Sequence, residues 1–240
     1  MTDLPLVPPG PAADASAAAI AAHSGVRARV TELLDGIDED RAAATVVPAC
    51  PAWSVTDTLA HAVGVCIDIV EGNIGDDVGT AAWADSHVDR FASLGVAGLL
   101  ERWVETAPVI DSLAGVLPGP IASQFVFDAT THEQDLRGAL GAPGGRGSDG
   151  IVVGLRFIQG GLDAAVRRQG LPPLVLVSEV DRVVVGGDAD AEAASGLPAL
   201  RATNFEQFRG FGGRRSIAQL HAMDWDVDPA PYVALSTSGR

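Results

Sequence analysis

Apolar residues recur at helical spacing through the first half of the chain and in short β-rich runs through the second. Val26, Val30, Leu33 and Leu34 predict a first helix over 14–37, with Asp14 as its N-cap. Pro48-Ala49-Cys50-Pro51 predicts a stiff loop. Ser54 opens a second helix that runs to about Glu71, and Asp57 stands three residues on, where a capping box wants Glu. A turn over 72–79 leads into helical material over 80–115, broken near Gly95 and stopped by Leu117-Pro118-Gly119-Pro120. Residues 121–140 form the fourth main helix, closed by Gly141. The segment 141–150 holds five glycines and a proline and reads as a domain boundary. Beyond it come a helix over 151–169 and two β-rich runs, 174–178 and 182–185, that predict a hairpin. A strand at 200–201, helical stretches at 202–211 and 216–221, and a last strand over 222–225 complete the pattern. The fold class is therefore α+β: a flexible lead over 1–13, a four-helix bundle over 14–145, and a small α/β domain over 146–240.

Charge narrows the function classes. The formal net charge is −15, and all 16 basic residues are arginine. Such a chain lacks the basic stripe that nucleic acid or an anionic membrane surface requires. No run reaches the ~18 apolar residues of a membrane span. Residues 1–11 carry an acid and four prolines rather than the basic start of a signal peptide. Two cysteines, Cys50 and Cys66, make no disulfide framework. The expected location is a reducing cytoplasm.

The richest segment is Phe127 to Leu136. On a helix, at ~100° per residue, Asp128 and His132 share one face with Asp135 and Gln124. That spacing fits either a solvated polar face or two corners of a zinc-type site. His61 is the natural third ligand. It lies on a narrow polar arc with Asp57, Gly64, Asp68 and Glu71, and such an arc faces solvent more often than a metal cavity. His23, His87 and His221 read as surface or satisfied core histidines. Cys50 reads either as a reactive thiol before a helix start or as a small buried hydrophobe. Arg209, Arg214 and Arg215 surround Phe211-Gly212-Gly213. They are either a carboxylate clamp or surface arginines paired with Glu206 or Asp224. No P-loop, dinucleotide fingerprint or serine nucleophile elbow is present.

Residues 50–61, CPAWSVTDTLAH, resemble the first signature of the mycothiol-dependent maleylpyruvate isomerase family, whose members are DinB-like four-helix bundles. Residues 128–141 resemble the family's second signature, an acid and a His four apart followed by Asp. Residues 202–216 resemble its small C-terminal α/β domain. The resemblance implies a divalent metal, zinc, on His61, Asp128 and His132, with Asp128 standing where the family commonly has Glu. It implies mycothiol as thiol cosubstrate and a small electrophile as substrate, hence a transferase or isomerase. Asp135 is then placed to orient His132 or a metal-bound water, and Arg209, Arg214 or Arg215 to clamp a carboxylate. Two other readings use the same scaffold: a thiol-independent metal hydrolase, and a non-catalytic binding protein.

Overall fold

In the computed structural model, which describes residues 4–188 and 194–237, residues 14–146 form one unit. Residues 4–13 belong with 147–188 and 194–237 in a second.

The first unit is helical. Its elements are α1 (Ser16–Leu34), α2 (Glu39–Ala44), a short hairpin of β2 (Val46–Val47) and β3 (Cys50–Ser54), α3 (Val55–Glu71), α4 (Ala81–Phe91), α5 (Val96–Ser112) and α6 (Gly119–Leu140). The four long helices pack in a ring: α1 lies against α5 and α6, and α3 lies against the same two from the other side. Leu34, Leu59, Leu99, Trp103, Ile110 and Leu136 are fully buried in the core between them.

Local chemistry sets the ends of these helices. The Ser54 hydroxyl accepts from the Asp57 amide, and the Asp57 carboxylate accepts from the Ser54 amide, so Asp completes the capping box that Glu usually closes. Gly72 and Gly141 end α3 and α6 in the left-handed region, with φ of 75° and 63°. The start of α5 is capped from a distance. Glu39 of α2 accepts the amides of Val96 and Ala97 at 2.7 and 3.1 Å, and any side chain at Gly95 would displace it. Asp14 is not the N-cap of α1: the helix starts at Ser16, and Ala15 precedes it without a side-chain cap. The expected loop at 48–51 contains the turn of the β2–β3 hairpin.

The second unit has a five-stranded sheet, ordered β1-β5-β4-β6-β7. Its strands are β1 (Leu6–Val7), β4 (Leu174–Val177), β5 (Arg182–Val185), β6 (Ala199–Arg201) and β7 (Asp224–Trp225). Strands β4 and β5 form the expected antiparallel hairpin, in register from Leu174↔Val185 to Val177↔Arg182. Strand β6 runs parallel to β4. The helices are α7 (Asp149–Gln169), α8 (Asn204–Arg209), α9 (Ile217–His221) and α10 (Ala230–Thr237), with a wide turn over Gly210–Arg214 between α8 and α9. Residues 4–13 are not merely a loose lead. Leu6 and Val7 pair in parallel with Arg182 and Val183, and the Arg182 amide donates to the Pro5 carbonyl at 2.9 Å. Apolar side chains and free backbone groups give them a sheet edge to join, which proline content does not reveal.

Candidate metal centre

Helix α3 is buried on nearly every side, including the arc that carries His61 and Asp68. Helix α4 covers that arc. Gly64 makes the close approach possible, because a methyl group there would collide with the ring of His87. His61 is consequently 4% exposed and Asp68 3%, so the middle of the arc is interior while Glu71 at its end is exposed.

Opposite His61 stands α6. Asp128 and His132, one turn apart, face the same space, and ligand atoms of His61, Asp128 and His132 all lie within 4.8 Å of one another. The Asp128 carboxylate lies between the imidazoles, 3.7 Å from His61 Nε2 and 3.6 Å from His132 Nε2. Those separations exceed a good hydrogen bond, which ends near ~3.2 Å. They run to different oxygens of the carboxylate, Oδ2 toward His61 and Oδ1 toward His132, and the cluster is one that a zinc ion with ligands at about 2.0–2.1 Å can draw together. Neutral imidazole nitrogens and a carboxylate are ordinary donors for such an ion, so the residues fit a divalent metal. The Asp128 side chain is 37% exposed while the two histidines are buried, so the group opens to solvent on its carboxylate side. Burial works to raise the Asp128 pKa. When protonated, the imidazoles outweigh it, His132 more than His61, and hold the carboxyl below its ordinary range.

Trp53 and Trp83 wall the imidazoles. Trp53 lies 5.1 Å from the His61 ring and 6.1 Å from the His132 ring, and Trp83 meets His61 edge-on at 5.9 Å. Asp135 is 2% exposed, with Oδ2 3.7 Å from His132 Nδ1 and 3.9 Å from Cys50 Sγ. Among the described residues, buried His132 Nδ1 has no hydrogen-bond partner. Cys50, half-buried on β3, thus sits beside the second face of His132. Gln124, expected on the same arc, is exposed one turn before Asp128.

His87 and Asp68 carry more of the site than their sequence positions convey. His87 is fully buried. Its Nε2 is 2.7 Å from Asp68 Oδ2, and its Nδ1 is 3.1 Å from His61 Nδ1. Arg90 and the Trp83 indole also donate to Asp68, at 2.8 and 3.0 Å. Burial lowers the His87 pKa. It would raise that of Asp68, but hydrogen bonds from His87 and Arg90 prevail and lower it. One signal was available in the sequence: His61, Gly64 and Asp68 form a stripe at spacings of three and four, with a glycine where a partner helix can approach.

Arg209, Arg214 and Arg215 belong to the second unit. Arg215 holds Glu206 with both arms of its fork, at 2.9 Å each, one of the pairings weighed from the sequence. Arg209 is buried at the end of α8, and Arg214 is half-buried in the wide turn.

No family model matches the chain, and no curated protein matches its sequence significantly. Solved structures do. A crystal structure of the mycothiol-dependent maleylpyruvate isomerase aligns with a TM-score of 0.53 and 14% identity, over 88% of this chain and 92% of that one. A histidine-to-alanine mutant of that isomerase aligns over the same shares with a TM-score of 0.54, also at 14% identity. The chain therefore shares the isomerase's α+β fold. Among the described residues, no helix is long and apolar enough to cross a membrane.

Proposed function

We propose that the helical unit holds one divalent cation, zinc, on His61 Nε2, Asp128 and His132 Nε2, and that the protein is a thiol-dependent isomerase or transferase. The observation that carries this reading is the convergence of the three donor groups within 4.8 Å of one another, with the carboxylate beyond good hydrogen-bond distance of both imidazoles. The likeness in fold to a mycothiol-dependent isomerase supports mycothiol as the thiol and a small electrophile as its target. Three protein ligands leave a coordination position for a thiol, and the charge of a bound cation favours thiolate over thiol.

The remaining roles fall to this chain's own residues. Trp53 and Trp83 exclude water from the imidazole side and leave approach from the Asp128 side. Asp135 Oδ2 stands 3.7 Å from His132 Nδ1, beyond a hydrogen bond, and is assigned as the carboxylate that would accept from Nδ1 once a bound cation fixes the ring. Arg209, Arg214 and Arg215 are assigned to carboxylate binding. Arg215 also holds Glu206.

The test is turnover of maleylpyruvate by the zinc-loaded protein, with and without mycothiol. Turnover only with mycothiol supports the reading. Turnover without any thiol favours a metal hydrolase on the same ligands.

A further inference from the structure

The polar chain behind His61 fixes where its protons sit. Asp68 accepts from Trp83 Nε1 at 3.0 Å and from Arg90 Nη2 at 2.8 Å, so it is a charged acceptor. At the 2.7 Å contact with His87, the donor is therefore His87 Nε2. A neutral imidazole protonated on Nε2 carries a lone pair on Nδ1. That lone pair meets His61 Nδ1 at 3.1 Å, and the hydrogen bond forms when His61 Nδ1 holds the proton. His61 Nε2 is then unprotonated; the Asp128 carboxylate that it faces lies at 3.7 Å, beyond the hydrogen-bond reach that would draw the proton to Nε2. A doubly protonated His87 would reverse the last step. Its ring is fully buried, however, and Arg90 already balances the charge of Asp68.

We infer that His87, held by Asp68 and Arg90, is a positioning residue that locks His61 in the tautomer with a free Nε2 aimed between Asp128 and His132. The inference deepens the metal reading, but the tautomer itself does not depend on it. The stripe on α3 serves this contact: Gly64 lets the His87 ring lie against the helix, and Asp68, one turn further on, receives its far nitrogen. Ligating histidines are commonly anchored by an acceptor at their second nitrogen. Here the acceptor is another histidine, and the carboxylate stands one step behind it.

Two measurements test this. The first is ¹⁵N NMR of the imidazoles in the metal-free wild-type chain at about pH 8. His61 should show a protonated Nδ1 and an unprotonated Nε2, and a proton on Nε2 overturns the inference. The second is zinc affinity by chelator competition. His87→Phe should weaken zinc binding about 10–100-fold, with helical content preserved. His87→Gln should recover most of the loss, because its amide can accept from His61 and donate to Asp68. Equal affinity in His87→Phe and wild type overturns the inference. A wild type that binds no zinc overturns the metal reading instead, and the tautomer measurement then decides the relay alone.

Discussion

Acidification should strike the helical unit through His23 before most other groups. The ring is fully buried on α1, stacked on Phe125 with centroids 4.1 Å apart, and its Nε2 lies 3.6 Å from Cys66 Sγ. Burial first, and then the charge of Arg27, lower its pKa from 6.5 to about 3. Between those values the unfolded chain binds a proton at His23 and the folded chain refuses it. Stability therefore falls as pH falls from 6.5. Each unit of separation is worth about 1.4 kcal/mol. At pH 5 the gap of about 1.5 units costs roughly 2 kcal/mol, a sizeable part of the ~5–15 kcal/mol that holds a domain together. Cys66, pushed up to about 12, does not titrate in this range. His23→Phe keeps an aromatic ring against Phe125 and removes the titration. The assay is urea unfolding of both chains at pH 7.5 and pH 5, with chelator present so that metal linkage is absent. Relative to wild type, the variant should gain about 2 kcal/mol on moving to pH 5. A difference between the two chains that is the same at both pH values would refute the reasoning.

Three other outcomes follow from the same geometry. Glu133 is fully buried and receives Arg29 through two hydrogen bonds at 2.9 and 2.7 Å and Arg137 at 3.0 Å. Glu133→Ala should cost about 3–5 kcal/mol in chemical denaturation, because it strands two cations; a loss below 1 kcal/mol would show that water rescues them. His132→Ala should abolish stoichiometric metal while far-UV circular dichroism stays close to wild type, and full metal occupancy would remove the proposed site. Arg214→Ala should raise KM for a carboxylate substrate or thiol and leave metal content unchanged; unaltered kinetics would end the clamp assignment.

Much of the fold was legible because local rules agreed with one another. Ser54, Asp57 and Gly72 bound α3, Gly141 closes α6, and the β-rich runs at 174–177 and 182–185 pair as their composition implies. The elements that escaped are short or depend on remote partners. Strand β1 exists because β5 offers it an edge, and the β2–β3 hairpin lies in a proline-rich stretch that reads as loop. Six-residue α2 has too few turns for a periodic signal, yet its Glu39 caps α5. Helix α10 lies beyond the last expected strand. At the site, spacing alone joins Asp128 to His132. It does not say what covers the polar arc of α3, because periodicity describes a helix's own faces and not its neighbours. Gly64, His87 and Asp68 supply that answer only when α3 and α4 are seen together.

The most direct measurement is the metal content of the protein as purified and after zinc reconstitution, by elemental mass spectrometry, beside a His61→Ala control. Close to one zinc per wild-type chain is expected, with a marked loss in the control. No metal in the reconstituted wild type, or equal metal in both chains, would contradict the proposed site.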